Sequence, residues 1–242
     1  MIRTRATRDA IATIYAPALQ AAVEAMAGPA ARYVDGSVVT GPAAPPTSDV
    51  DLLTVGLPAS QAQRLSAERS ARFADRCREV SVAPARRQHL EDRSVEGYGL
   101  RAFPRHDCVH LAEADPADGL GDCPADARAA RGFNGDFGRH RQRWRSALDR
   151  DVEVAQLGTR IARKTLLAVA CLVSLRDATW STDPRSCAAR WNHLEPDIRL
   201  DTLVAWLDTP PGDPGAIAPV LHGPVAAVVQ AFESESGVWN DP

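Results

Sequence analysis

Two aspartates one residue apart, Asp49 and Asp51, follow a Gly36-Ser37 pair across an eleven-residue loop rich in Pro and Gly. In a strand, residues i and i+2 point to the same face. The segment Thr47-Ser48-Asp49-Val50-Asp51-Leu52-Leu53-Thr54-Val55 would therefore set two carboxylates side by side, with Val50 and Leu52 turned to the core. Adjacent carboxylates repel each other unless a cation lies between them. Hard oxygen donors of this kind suit Mg²⁺, which usually binds through one or two carboxylates plus substrate phosphates. Gly36 lets the backbone come close to a phosphate, and the Ser37 hydroxyl can hydrogen-bond one of its oxygens. Ser48, directly before the first aspartate, is placed with them. The chemistry this pattern predicts is metal-dependent nucleotidyl transfer, with a nucleoside triphosphate as donor.

A third carboxylate is expected from Glu79, in the strand-like run Glu79-Val80-Ser81-Val82. Strands joined through a crossover helix lie in one sheet, often as neighbours. Glu79 would then stand near Asp49 and Asp51 as third metal ligand, or as the base taking a proton from an acceptor hydroxyl. The bland alternative is a solvent-facing Glu on an edge strand.

These residues need a frame to hold them. Apolar positions at Ile11, Ile14, Tyr15, Leu19, Val23 and Met26 have helical spacing over residues 7–27, stopped by Gly28-Pro29. Strands are expected over 31–36 and 49–55, and a helix over 58–76. Residues 86–96 read as a loop, and segments near 97–103 and 107–112 as further strands. Asp, Pro and Gly become dense around 115–125, which places a boundary between domains 1–118 and 119–242. Beyond it the pattern is helical: 125–131, 135–149, 153–177, 184–193, 200–207 and 217–234. The expected class is α+β, with an α/β lobe followed by a helical bundle domain.

The net charge of −3 gives no electrostatic footprint for nucleic acid. Five cysteines lack metal-ligand spacing and read as free thiols of a reducing compartment. The longest apolar run, Leu166 to Leu175, is too short to span a bilayer. A cytoplasmic location is expected. His106, Cys108 and His110 are weighed as a metal-like face against ordinary packing residues. Asn134 reads as a helix N-cap, and Trp144, Trp180, Trp191 and Trp206 as packing residues.

Gly36-Ser37, the loop and Asp49-Val50-Asp51-Leu52 together resemble the signature of the nucleotidyltransferase superfamily that includes DNA polymerase beta. Asp35 departs from it, standing where that family usually has an apolar residue. His106-Asp107-Cys108-Val109-His110-Leu111, the run Val173 to Asp183 and Ala188-Ala189-Arg190-Trp191 further resemble the aminoglycoside adenylyltransferases that modify streptomycin and spectinomycin. The resemblance implies a polymerase-beta-like lobe, a helical domain, Mg²⁺ as cofactor and AMP transfer from ATP to a hydroxyl of an aminoglycoside-like molecule seated between the lobes. It also implies catalytic roles for Asp49, Asp51 and Glu79. That family carries a phosphate-binding Lys where this chain has Thr182-Asp183-Pro184, and an Arg near the position of Ala170. Arg160, Arg163 and Lys164, the last being the only Lys of the chain, are the candidate replacements, Arg160 and Lys164 sharing a helix face at i,i+4. Tyr98 is read as a core residue or as an aromatic contact to the acceptor. Two readings stand beside this one: a regulatory protein of the same fold that binds or modifies a protein partner, and a nucleotide-binding remnant without turnover.

Overall fold

A computed structural model describes residues 6–26, 31–41, 43–119, 121, 124, 126–148, 150, 152–177, 181 and 183–239. They divide into two compact units, one within Arg3–Cys123 and the other within Pro124–Pro242. The class is α+β, with one four-stranded mixed sheet. Trp180, Thr182 and Cys123 lie outside the described residues.

The first unit opens with 3₁₀ turns at Arg8–Ala10 and Thr13–Tyr15, which lead into helix α1, Ala16–Ala25. Pro17 in its first turn fits a position whose N–H needs no helical partner. Strand β1, Ala31–Asp35, runs into Gly36 and a one-turn helix α2, Ser37–Thr40. Strand β2, Val50–Val55, pairs antiparallel with β1. Helix α3, Ala59–Arg72, crosses over to strand β3, Val80–Ala85, which pairs parallel with β2. Short helix α4, Arg87–Glu91, and helix α5, Val95–His106, precede strand β4, Val109–Ala112, which pairs antiparallel with β1. The sheet order is β3-β2-β1-β4.

Both faces of this sheet are covered. Val34, Val50, Leu52, Val80 and Val82 pack on Leu19 and Ala22 of α1 and on Ala62 and Leu65 of α3. Ala31, Tyr33, Leu53, Val55 and Ala85 form the opposite face with Leu90, against Leu100 and Phe103 of α5. The outer edge of β3 is also closed. The N–H groups of Val80 and Val82 donate to the hydroxyls of Ser70 and Ser66 on α3, each at 2.9 Å. Pro84, which has no N–H to offer, sits on this edge strand, where proline is tolerated.

Three expectations differ from this arrangement. The helix expected over 7–27 is α-helical only over Ala16–Ala25, with separate 3₁₀ turns before it. Residues 97–103 form the middle of α5 and not a strand. Ser94 caps the helix by accepting from the Gly97 N–H at 3.0 Å, and Ala102 and Phe103 fall on its inward side. The polar stretch 86–96 contains α4, because Leu90 is drawn into the sheet-face cluster.

The second unit is helical: α6, Ala127–Asn134; α7, Phe137–Leu148; α8, Val154–Asp177; α9, Pro184–Leu194; α10, Asp201–Ala205; α11, Ile217–His222; and α12, Pro224–Ser236. The long α8 is its axis, buried on most sides through Leu157, Ile161, Leu166, Val169, Leu172 and Val173. Trp144, Trp191 and Trp206 are buried, as expected of packing residues. The Trp191 indole N–H donates to the Ile198 carbonyl at 3.1 Å. Asn134 does not cap a helix. It ends α6, is buried, and donates to the Cys171 sulfur at 3.3 Å, while Asp126 caps α6. By length and composition Pro214–Ser236 passes for a membrane span, at a mean hydropathy of 1.5. Here it is broken at Gly223 between α11 and α12, and Val225, Val228 and Phe232 are buried.

Candidate active site

The ladder register brings the acidic residues to one end of the sheet. Asp35, the last residue of β1, lies directly opposite Asp51 of β2. Directly opposed residues in an antiparallel pair have Cβ atoms about 4.5–5.5 Å apart. On β2, Asp51 shares its face with Leu53 and Val55. The sheet face that is apolar farther along thus ends in carboxylates here. Parallel pairing brings the start of β3 to the same end: Val50 N–H donates to the Glu79 carbonyl at 2.9 Å, and Arg78 N–H to the Ser48 carbonyl at 3.1 Å. Glu79 stands just before the strand, with an exposed side chain.

Gly36 is placed by this geometry. Its φ of +74° belongs to the region that L side chains rarely adopt, and a Cβ there would stand 2.8 Å from the Asp51 Oδ2. A side chain is disfavoured by the backbone conformation, and the Asp51 carboxylate would have to move to admit one. Ser37 begins α2 directly after it. The Ser48 hydroxyl accepts from the Ala44 N–H at 2.9 Å, which closes the end of the loop against Asp49. Its observed role is therefore to shape the loop.

Electrostatics at this end of the sheet are strained by negative charge. Burial, with the charges of Asp51 and then Asp107, pushes the Asp35 carboxyl up to about 8. Asp49 is balanced differently. Arg78 engages both its oxygens, with Nε 2.9 Å from Oδ1 and a second, shorter contact from Nη2 to Oδ2. The Arg78 guanidinium is held above its usual range by that hydrogen bond, against burial, with Glu79 and Asp51 adding to it.

Among the described residues, no group of three or more His, Cys, Asp or Glu side chains is arranged to hold a metal ion. Asp49, Asp51 and Glu79 reach the same sheet end without forming a single ligand cluster. The donor chemistry still fits Mg²⁺. Asp35 and Asp51 are opposed oxygen donors in a half-buried setting where charge is unfavourable, and one or two carboxylates plus substrate phosphates are the usual Mg²⁺ set.

Two of the candidate cations, Lys164 and Arg160, have partners within the second unit. Lys164 pairs with Asp136 at 2.9 Å, and His140 Nε2 stands 3.0 Å from the other Asp136 oxygen. Arg160 is exposed and donates to Gln156 at 3.2 Å. Asp183, where the resembled family has Lys, caps α9 by accepting from the Ser186 N–H at 3.0 Å. His110 packs its ring 5.2 Å from that of Tyr33, and burial holds the Cys108 thiol well above its usual range.

Sequence reasoning did not single out Arg78 or Asp107, and it treated Asp35 only as a departure. A signal for Arg78 was present: once Glu79 is set beside Asp49 by parallel pairing, its neighbour comes too. Asp107 follows α5, whose helical character was missed, so its approach to Asp35 was not legible. No protein-family model matches this chain, and no curated protein matches it.

Proposed function

We propose that this protein is a Mg²⁺-dependent nucleotidyltransferase that moves a nucleoside monophosphate, AMP from ATP by resemblance, to a hydroxyl of a small polyhydroxylated acceptor. In this reading the first unit is a polymerase-beta-like lobe and the second its helical partner domain. The observation that carries it is Gly36 held against the Asp51 carboxylate, with Asp35 opposite and Asp49 and Glu79 at the same sheet end.

Asp51 and Asp49 hold the metal in this account, and Asp35 adds a third carboxylate beside them. Bound there, Mg²⁺ supplies charge neutralisation for the triphosphate and for the pyrophosphate that leaves. The space beside Gly36 is taken by the Asp51 carboxylate, so it is Ser37, directly after it, that offers a phosphate its hydroxyl. Glu79, exposed at the same sheet end, takes the proton of the acceptor hydroxyl. The hydroxyl oxygen bonds to the α-phosphorus as the bond to the β-phosphate oxygen breaks.

A second reading is a nucleotide-binding protein without turnover. The engagement of both Asp49 oxygens by Arg78 favours it. Pyrophosphate release separates the two. Release that requires Mg²⁺ and acceptor, and is lost in Asp51→Asn, supports transfer. Nucleotide binding with no release in the presence of an acceptor panel supports the second reading.

A further inference from the structure

The triphosphate of the proposed donor needs a cationic partner, and Lys164 is engaged with Asp136 in the other unit. Arg78 already stands at the acidic end of the sheet. Its backbone N–H is tied to the Ser48 carbonyl at 3.1 Å, which fixes its Cα beside Asp49. Its side chain is 54% exposed, whereas that of Asp49 is 18% exposed. The root of this arginine is thus anchored while its head is at the surface.

The guanidinium makes a two-pronged contact with Asp49. A metal that takes Asp49 in its favoured coordination must displace at least one of those hydrogen bonds. The guanidinium end of this pair is at the surface, where water screens the attraction and solvates the released arginine, so the contact can be exchanged. The planar fork of arginine matches phosphate oxygens as well as it matches a carboxylate.

We propose that Arg78 is a triphosphate-binding residue that occupies Asp49 in the resting protein and exchanges it for phosphate oxygens when metal and nucleotide enter. This rests on the nucleotidyl-transfer reading. In the resting state the guanidinium balances Asp49. In the loaded state metal balances Asp49 and phosphate balances Arg78, so no charge is stranded in either. A purely structural clamp between the ends of β2 and β3 would behave differently, because its loss would loosen Asp49 and weaken both ligands together. The exchange predicts opposite signs: without Arg78, Mg²⁺ alone binds more tightly and the polyphosphate binds more weakly.

The test is calorimetric titration of the full chain with MgCl₂ alone, and with inorganic tripolyphosphate in saturating Mg²⁺, a probe independent of the base. Arg78→Ala should bind Mg²⁺ several-fold more tightly and tripolyphosphate roughly tenfold or more weakly, the range of a charged hydrogen bond. Arg78→Lys, which keeps the charge without the fork, should shift both in the same directions by less, and it carries the comparison if the Ala variant does not fold. Unchanged or weaker Mg²⁺ binding, or unchanged tripolyphosphate binding, in a folded variant overturns the assignment of Arg78 and leaves the transfer reading standing. A wild-type chain that binds neither probe overturns both.

Discussion

The Asp51 carboxylate fills the space where Gly36 lacks a side chain: its Oδ2 lies 2.8 Å from the place a Cβ on residue 36 would take, and the φ of Gly36 is +74°. The carboxylate is therefore supported from one side by bare backbone. Gly36→Ala is expected to push Asp51 from this position and to add backbone strain of about 1–3 kcal/mol. The melting temperature should fall, and Mg²⁺ binding should weaken with it. An Ala variant with wild-type stability and Mg²⁺ affinity would contradict the contact.

Asp35 makes stability depend on pH in a defined direction. Its carboxyl lies at about 8 against 3.8 for the free group, through burial and the charges of Asp51 and Asp107. Between those values the folded chain holds a proton that the unfolded chain has released. Stability from this group is therefore greatest below the unfolded value and is lost as pH rises towards the folded one. In chelator, Asp35→Asn should melt higher than the wild type, with a gap that widens from pH 5 to pH 8. Added Mg²⁺ should narrow the gap at pH 8. Thermal melts across this range measure it, and a gap independent of pH would refute the buried charge.

The ion pair of Lys164 and Asp136 predicts the opposite slope. Burial raises the Asp136 carboxyl, but the hydrogen bond and charge of Lys164, with those of His140, outweigh it and hold the group below its usual range. Lys164→Met should cost about 1–3 kcal/mol near neutral pH, because a half-buried carboxylate loses a charged partner. A depressed carboxyl stabilises above its unfolded pKa and ceases to do so as pH falls through the folded one. The difference between variant and wild type should then close in acid. Denaturant titrations of both proteins at a series of pH values from 7 into the acid range decide this, and a difference that does not shrink as pH falls would contradict the ion pair.

The covered edge of β3 gives a prediction independent of catalysis. Ser66 and Ser70 each accept a backbone N–H of β3 at 2.9 Å. Replacing either with Ala leaves that N–H without its acceptor and should cost about 1–3 kcal/mol. Faster hydrogen exchange at Val80 and Val82 should accompany the loss. Exchange that stays at wild-type rates would show that these hydroxyls do not protect the edge.

The parts of this architecture that rest on local pattern were readable from the chain. Val50 and Leu52 turn to one core and Asp51 to the other face, as a period of two requires. Most helical spans beyond residue 125 follow their apolar periodicity, and α8 agrees to within a residue with the expected 153–177, but the expected 217–234 divides at Gly223 into α11 and α12. Segment 97–103 is the middle of a helix and not a strand, and the Ser94 cap that starts that helix lies outside the segment. The pairing of Asp35 with Asp51, and of Arg78 with Asp49, comes from strand register and from contacts between residues far apart in the chain. No window along a single segment contains them.

The central claim is transfer of a nucleotide, and the most direct measurement is mass spectrometry of the reaction products. The full chain is incubated with Mg²⁺, each of the four nucleoside triphosphates and a panel of aminoglycosides and aminocyclitols, beside Asp51→Asn as control. The account predicts an acceptor heavier by one nucleoside monophosphate unit, with pyrophosphate released in equal amount, and neither product in the control. An adduct formed equally well by Asp51→Asn would contradict it.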